Sequence, residues 1–255
     1  MRRFSTALRL LPVYLFLYLP IIVLVIFSFN DSKYSTAWKG FTWKWYVKLM
    51  GNDQLLDAAL NSLTIAVLAA TLATCLGTLL AVALYRYRFH GKNILKAGVF
   101  VIMMSPDIVM GVSLLLLFML LGMEPGFWPL LIAHVTFCTP FVTATVMSRL
   151  NGFDPHLIEA AEDLYAGEYK TFRHIILPMC LPAVLAGWLL SFTLSMDDVI
   201  ISFFVTGPDF EILPLRIYAM VRMGVKPDVN ALSAIMVGIT VCLVFTSQLL
   251  MRKKK

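Results

Sequence analysis

Charge is scarce in this chain. Asp, Glu, Lys and Arg make up 14% of its 255 residues, against about 25% in soluble domains, which argues against a soluble globular protein. The formal net charge of +6 comes from no basic patch interleaved with aromatics, so nucleic acid is not an expected partner. Cysteine is rare too: Cys75, Cys138, Cys180 and Cys242 stand singly in or beside apolar stretches. That excludes a disulfide framework and paired zinc or redox spacings, and leaves small buried hydrophobes. A phosphate loop is missing, because Arg86 stands where the motif ending at Gly91-Lys92 needs glycine and Asn93 where it needs Ser or Thr. The chain is therefore expected to hold no cofactor and to hydrolyse no ATP. No H-E-x-x-H or G-x-S-x-G motif occurs, so the protease and hydrolase readings lose their support. No repeat or low-complexity stretch divides the chain, which reads as a single transmembrane domain over 1–255.

Apolar residues are abundant, at 60%. They gather in six runs, at about 8–29, 60–84, 97–121, 129–147, 183–205 and 231–250, each long enough or nearly so to cross a hydrocarbon core of about 30 Å. The expectation is an all-α polytopic membrane protein with six transmembrane helices. An even count puts both termini on one side. Fourteen of the 21 basic residues fall on that side, including Arg2, Arg3, Arg86, Arg88, Arg149, Arg173 and Lys253, so the termini are expected in the cytoplasm. The first run has a basic start but exceeds the usual length of a signal core, and is expected to stay as an anchor.

The informative polar residues lie inside the runs. Asp107 stands about ten residues into the third and Asp197-Asp198 about fifteen into the fifth, where a carboxylate costs on the order of 2.5 to 3.5 kcal/mol. Apart from Arg9 at the edge of the first run, no Lys or Arg lies inside any of them to pair with these acids. Carboxylates lining a water-filled path for a cation account for them better than an internal ion pair does. Pro106 frees a backbone carbonyl beside Asp107 and permits a kink. Adjacent aspartates are about 100° apart on a helix, so one can face the path while the other caps or pairs, and the pattern does not choose between them. Ser195 lies one turn from Asp198. Trp45, with Trp38, Trp43 and Tyr46, crowds the first external loop; these read as interfacial anchors or as a cation-π wall suited to an alkylammonium. His134 reads as a hydrogen-bonded interior histidine, and Glu168 as an interface charge or a cation exit contact.

Between the fourth and fifth runs lies a polar island, residues 149–182. Asp154-Pro155 is an N-cap and first-turn proline, and Leu157, Ala161 and Leu164 then share one helical face. A second short helix with Phe172, Ile175 and Ile176 inward is expected to close at Leu177-Pro178. Glu159-Ala160-Ala161, a later glycine, and Ile176-Leu177-Pro178 resemble the coupling loop of permease subunits in ATP-binding-cassette importers. Lys44-Trp45-Tyr46, Met104-Ser105-Pro106-Asp107-Ile108-Val109, GWLLSFTLSMDDV at 187–199 and Phe204-Val205-Thr206-Gly207-Pro208 narrow the resemblance to the second permease subunit of spermidine/putrescine importers.

That resemblance implies a type I ABC importer permease fold in a bacterial inner membrane. It implies a sister permease, an ABC ATPase dimer that holds the ATP and Mg, a periplasmic polyamine-binding protein and a polyamine cargo. It favours Asp107, Asp197, Asp198, Ser195 and Trp45 for the substrate path, and Glu159, Ala160, Ala161, Gly167 and Glu168 for coupling to the ATPase. Where the family has glycine, six residues after Glu159, this chain has Tyr165; the bend is therefore expected at Gly167. Two rivals stay open: the same fold carrying another small solute, and an ATP-independent proton-coupled transporter.

Overall fold

The computed structural model describes residues 2–32, 37–154, 156–222 and 227–252, and every element named among them is a helix. Residues 57–215 form one compact unit; 1–56 with 216–255 form another. Three helices among the described residues are long and apolar enough to cross a membrane, or four if a bent pair counts as one span.

In the unit formed by the two ends of the chain, α1 (Arg2–Phe27) and α2 (Lys44–Met50) both pack on α12 (Pro227–Arg252). Lys48 Nζ stands 2.6 Å from Asp228 at the start of α12. The segment joining α1 to α2 is folded by an antiparallel bridge between Asn30 and Phe41. Asn30 holds it from within, donating from Nδ2 to Ala37 O at 2.7 Å and accepting the Lys39 N–H at 2.8 Å.

The larger unit contains most of α3 (Asp53–Arg86), then α4 (Lys92–Met104), α5 (Asp107–Leu120), α6 (Phe127–Leu150), α7 (His156–Asp163), α8 (Glu168–Thr171), α9 (Leu177–Asp197) and α10 (Ile200–Val205); α11 (Leu213–Arg222) follows. The core centres on α6, where Leu130, Cys138, Val142, Val146 and Leu150 are fully buried. Ala69, Ala73, Gly77 and Ala81 put a small residue at every fourth position of α3 and are all buried. A Cβ at Gly77 would stand 2.7 Å from Val142 Cβ, and one at Gly187 of α9 3.2 Å from Val142 Cγ1. Small residues thus let α3 and α9 close on the same turn of α6, as helices must when dispersion rather than water drives their association.

Two runs read as continuous helices are broken. The segment at 97–121 turns by 114° between α4 and α5, because Ser105 and Pro106 are both extended, with ψ of 137° and 133°. Proline pushes its predecessor out of the helical region, and here the effect is a corner rather than a kink. The segment at 183–205 breaks at Asp198, whose ψ is 124°. Conversely, the helix expected to close at Leu177-Pro178 continues: α8 passes through a π-turn, Phe172–Ile176, into α9, giving 30 helical residues from Glu168 to Asp197. The wider turn accommodates a proline ring that would clash with the carbonyl four residues back in regular helix.

Candidate functional site

The break at Asp198 sorts the adjacent acids. Asp198 has a side chain only 6% exposed and acts as the cap of α10, accepting the Ile201 N–H at 3.2 Å and the Ser202 N–H at 2.8 Å. The Ser202 hydroxyl donates to the same carboxylate at 2.7 Å. His134 of α6 completes the cluster. Its Nδ1 lies 2.7 Å from Ser195 Oγ, and its Nε2 3.0 Å from Ser202 Oγ and 3.5 Å from Asp198 Oδ2. Ser195 is thus buried in this network and turned away from any open surface. Asp197, one residue earlier, is exposed.

Asp107 is exposed as well, at the first position of α5. A Cβ on Gly111 would meet Phe204 Cδ2 at 2.6 Å, so α5 lies directly against α10. The loop after α5 closes on the far end of α10, where Gly126 N–H donates to Val205 O at 3.1 Å. The two helices therefore run in the same direction. The breaks that open them, with Asp107 at one and Asp197-Asp198 at the other, stand at the same end of the pair.

Trp45 is placed differently from its expected role. It is buried, its indole N–H donates to Asn30 O at 2.8 Å, and the Nζ atoms of Lys44 and Lys48 each stand 5.6 Å from the ring centroid. Its contacts pin the loop and already include two cations of its own chain. Among the described residues Trp38, Phe41 and Trp43 are the aromatics left open there, the last two packed with Phe29 at 5.2 and 4.9 Å between centroids.

In the polar island, α7 begins after Asp154, whose carboxylate accepts the His156 N–H at 3.0 Å; Pro155 lies outside the described residues. Of the expected inward face only Ala161 is buried, while Leu157 and Leu164 are exposed. Glu159 and Ala160 are open, and Glu159 Oε2 lies 3.0 Å from His156 Nδ1. That hydrogen bond to Glu159 raises the pKa of His156 above its ordinary value.

The bend is at Tyr165, not Gly167. Tyr165 has φ of 56°, whereas Gly167 is extended at φ −65°, ψ 162°. Ala166 N–H donates to Ala161 O and Tyr165 N–H to Glu162 O, both at 2.9 Å. These are the two bonds of a Schellman cap with Tyr165 in the left-handed position that glycine usually takes. The paired bonds satisfy the last carbonyls of α7 and hold a tyrosine where its Cβ is disfavoured by about 1–2 kcal/mol. Its side chain is 96% exposed.

A clamp that the sequence reading missed fastens this island to the membrane core. Arg86, the last residue of α3, reaches Glu162 at 3.0 Å and Glu168 at 3.1 Å, and is itself only 11% exposed. Tyr87 donates its phenol to Glu168 at 2.6 Å, which raises the Tyr87 pKa, with burial adding to the effect. Beneath the clamp is a mostly apolar pocket of about 250 Å³, with Leu79, Val82, Tyr169, Phe172 and Ile176 among its lining residues. Its signal in the sequence is Arg86 followed by Tyr87 at the end of an apolar run, which topology and the family resemblance account for without a partner in the island.

Residues 73–253 match the family described as "Binding-protein-dependent transport system inner membrane component". The chain belongs to that family. It is an inner-membrane transport permease and not an enzyme. Its relatives include the spermidine/putrescine transport system permease protein PotC of Escherichia coli strain K12, 60% identical over 242 residues, which cover 95% of this chain and 92% of that protein. The putrescine transport system permease protein PotI of the same strain is 46% identical over 231 residues, 88% of this chain and 82% of that one. A solved bacterial ABC transporter involved in the import of the acidic polysaccharide alginate superposes with a TM-score of 0.77 at 15% identity, covering 99% of this chain and 96% of its counterpart. At that identity the likeness shows the fold of an ABC importer permease.

Proposed function

We propose that this chain is one of two permease subunits of an ATP-driven polyamine importer. The observation that carries the reading is the 60% identity to a spermidine/putrescine permease along 95% of the chain. Its chemistry is supported by the exposed carboxylates Asp107 and Asp197 at breaks in otherwise apolar segments. In this reading six spans cross the inner membrane with both termini in the cytoplasm. The corner at Ser105-Pro106 and the break at Asp198 interrupt two of them, and carboxylates at such interruptions give an alkylammonium the negative partners that hydrocarbon lacks. Half of the path belongs to this chain and half to a sister permease.

The coupling segment, 149–182, is the lever. ATP and Mg are handled by an ABC ATPase dimer that grips α7, and a periplasmic polyamine-binding protein delivers cargo on the opposite side. ATPase closure moves α7, and the Arg86 clamp passes the displacement to α3; alternating access follows from two arrangements of the same packed helices. The test is uptake of labelled spermidine and putrescine into proteoliposomes holding the permease pair, the ATPase and the binding protein. ATP-dependent uptake of both amines is expected. Uptake that follows a proton gradient without ATP, or that ignores polyamines and accepts a neutral solute, overturns the proposal.

A further inference from the structure

We propose that His134 is a positioning residue for the substrate path: from α6 it staples the two sides of the break at Asp198 and so sets where Asp197 points. The inference rests on the reading of Asp197 and Asp107 as path carboxylates. A break in a helix within the membrane leaves two soft residues, here Asp198 and Val199 with ψ of 124° and −36°. Locally the Asp198 carboxylate holds the first turn of α10 to the end of α9. The fully buried imidazole holds both from a third helix, with Ser195 of α9 at Nδ1 and Ser202 of α10 at Nε2.

The helical repeat of α9 links that staple to the open acid. Ser195 and Asp197 are two residues apart and hence about 200° apart around α9. Drawing Ser195 inward to His134 turns Asp197 outward, as their burial records. The other arm holds Ser202 and, through it, the Asp198 carboxylate. Because α10 is packed on Gly111 of α5, the same staple also sets Asp197 against the helix that begins with Asp107. An apolar side chain of similar size fills the space and loses both arms; glutamine reaches the Nε2 position, and asparagine the Nδ1 position, each keeping one.

The test is thiol accessibility in the assembled transporter. Asp197→Cys is introduced into a chain whose other accessible cysteines are replaced, and its reaction rate with a water-soluble cationic thiosulfonate is measured with His134 native or changed to Gln, Asn or Leu. The expected order is native fastest, Gln and Asn slower by roughly twofold to threefold, and Leu slowest by about tenfold, as one or both buried hydrogen-bond arms are lost. A filler role for His134 predicts instead a Leu rate equal to native, and that result overturns the staple. Equal rates in all assembled variants overturn the staple. If the Leu variant does not assemble, native rates in both Gln and Asn overturn it by themselves. Uptake by Asp107→Asn and Asp197→Asn, measured separately, reports on the path: normal uptake there removes the path reading, while the labelling order still judges the staple.

Discussion

Asp197 and Asp198 are chain neighbours with opposite surroundings, so their substitutions should fail differently. Asp198 caps α10 and meets His134 and Ser202; Asp198→Ala removes a cap worth about 1 kcal/mol and leaves buried donors unpaired at a further cost of about 1–3 kcal/mol. The expected result is a lower melting temperature of the purified complex. Asp197→Asn and Asp107→Asn keep shape and remove an exposed charge, so assembly should survive while polyamine uptake falls. Trp45→Phe should cost about 1 kcal/mol through the lost bond to Asn30 O and change uptake little, since that side chain is buried in its loop. His156 offers a pH-dependent local contact. Its pKa is raised by Glu159, so the pair contributes below the ordinary histidine value and is lost as pH rises through the raised one. NMR titration should show His156 titrating high, and Glu159→Gln should bring it down.

Among the elements, the coupling segment carries the sharpest expectation. Tyr165 occupies a left-handed position at the end of α7, which glycine adopts without the Cβ penalty, so Tyr165→Gly should stabilise the Schellman turn by about 1 kcal/mol. In the permease without its ATPase, hydrogen exchange of the Tyr165 and Ala166 amides should slow. Gly167→Ala should leave that exchange unchanged, because Gly167 is extended and nothing lies within 4 Å of a Cβ there. The Arg86 clamp joins this element to α3 across partly exposed carboxylates. Solvent screening makes it a modest contributor to stability, and its worth is mechanical. Arg86→Gln should leave spans and ATPase association in place and lower the amine imported per ATP hydrolysed; an unchanged ratio counts against the clamp as a transmission joint.

At the scale of the whole molecule, the chain has no nucleotide loop and belongs to a family of membrane components. Purified alone and reconstituted, it should neither hydrolyse ATP nor accumulate polyamine, and both activities should appear with the sister permease, ATPase and binding protein. What the chain's composition determined by itself is its solvent: runs of about twenty apolar residues can only be helices in a bilayer, because their backbone must satisfy its own hydrogen bonds there. The motif at Glu159-Ala160-Ala161 and the misplaced acids also stood in plain view, since a charge in an apolar run is visible without coordinates.

Tertiary structure decided the rest. Which of two adjacent aspartates faces outward depended on a histidine some 60 residues earlier, at a contact between helices that no local period encodes. The left-handed turn fell on Tyr165 because its two closing hydrogen bonds outweigh a Cβ penalty that local preference alone would have avoided. Trp45 went inward because the carbonyl of Asn30, folded back by a bridge, offered its indole a partner. Pro106 made a corner and Pro178 did not, since one proline followed an extended serine and the other entered a helix already widened by a π-turn. Local residues set the permitted conformations; packing across the bundle selected among them.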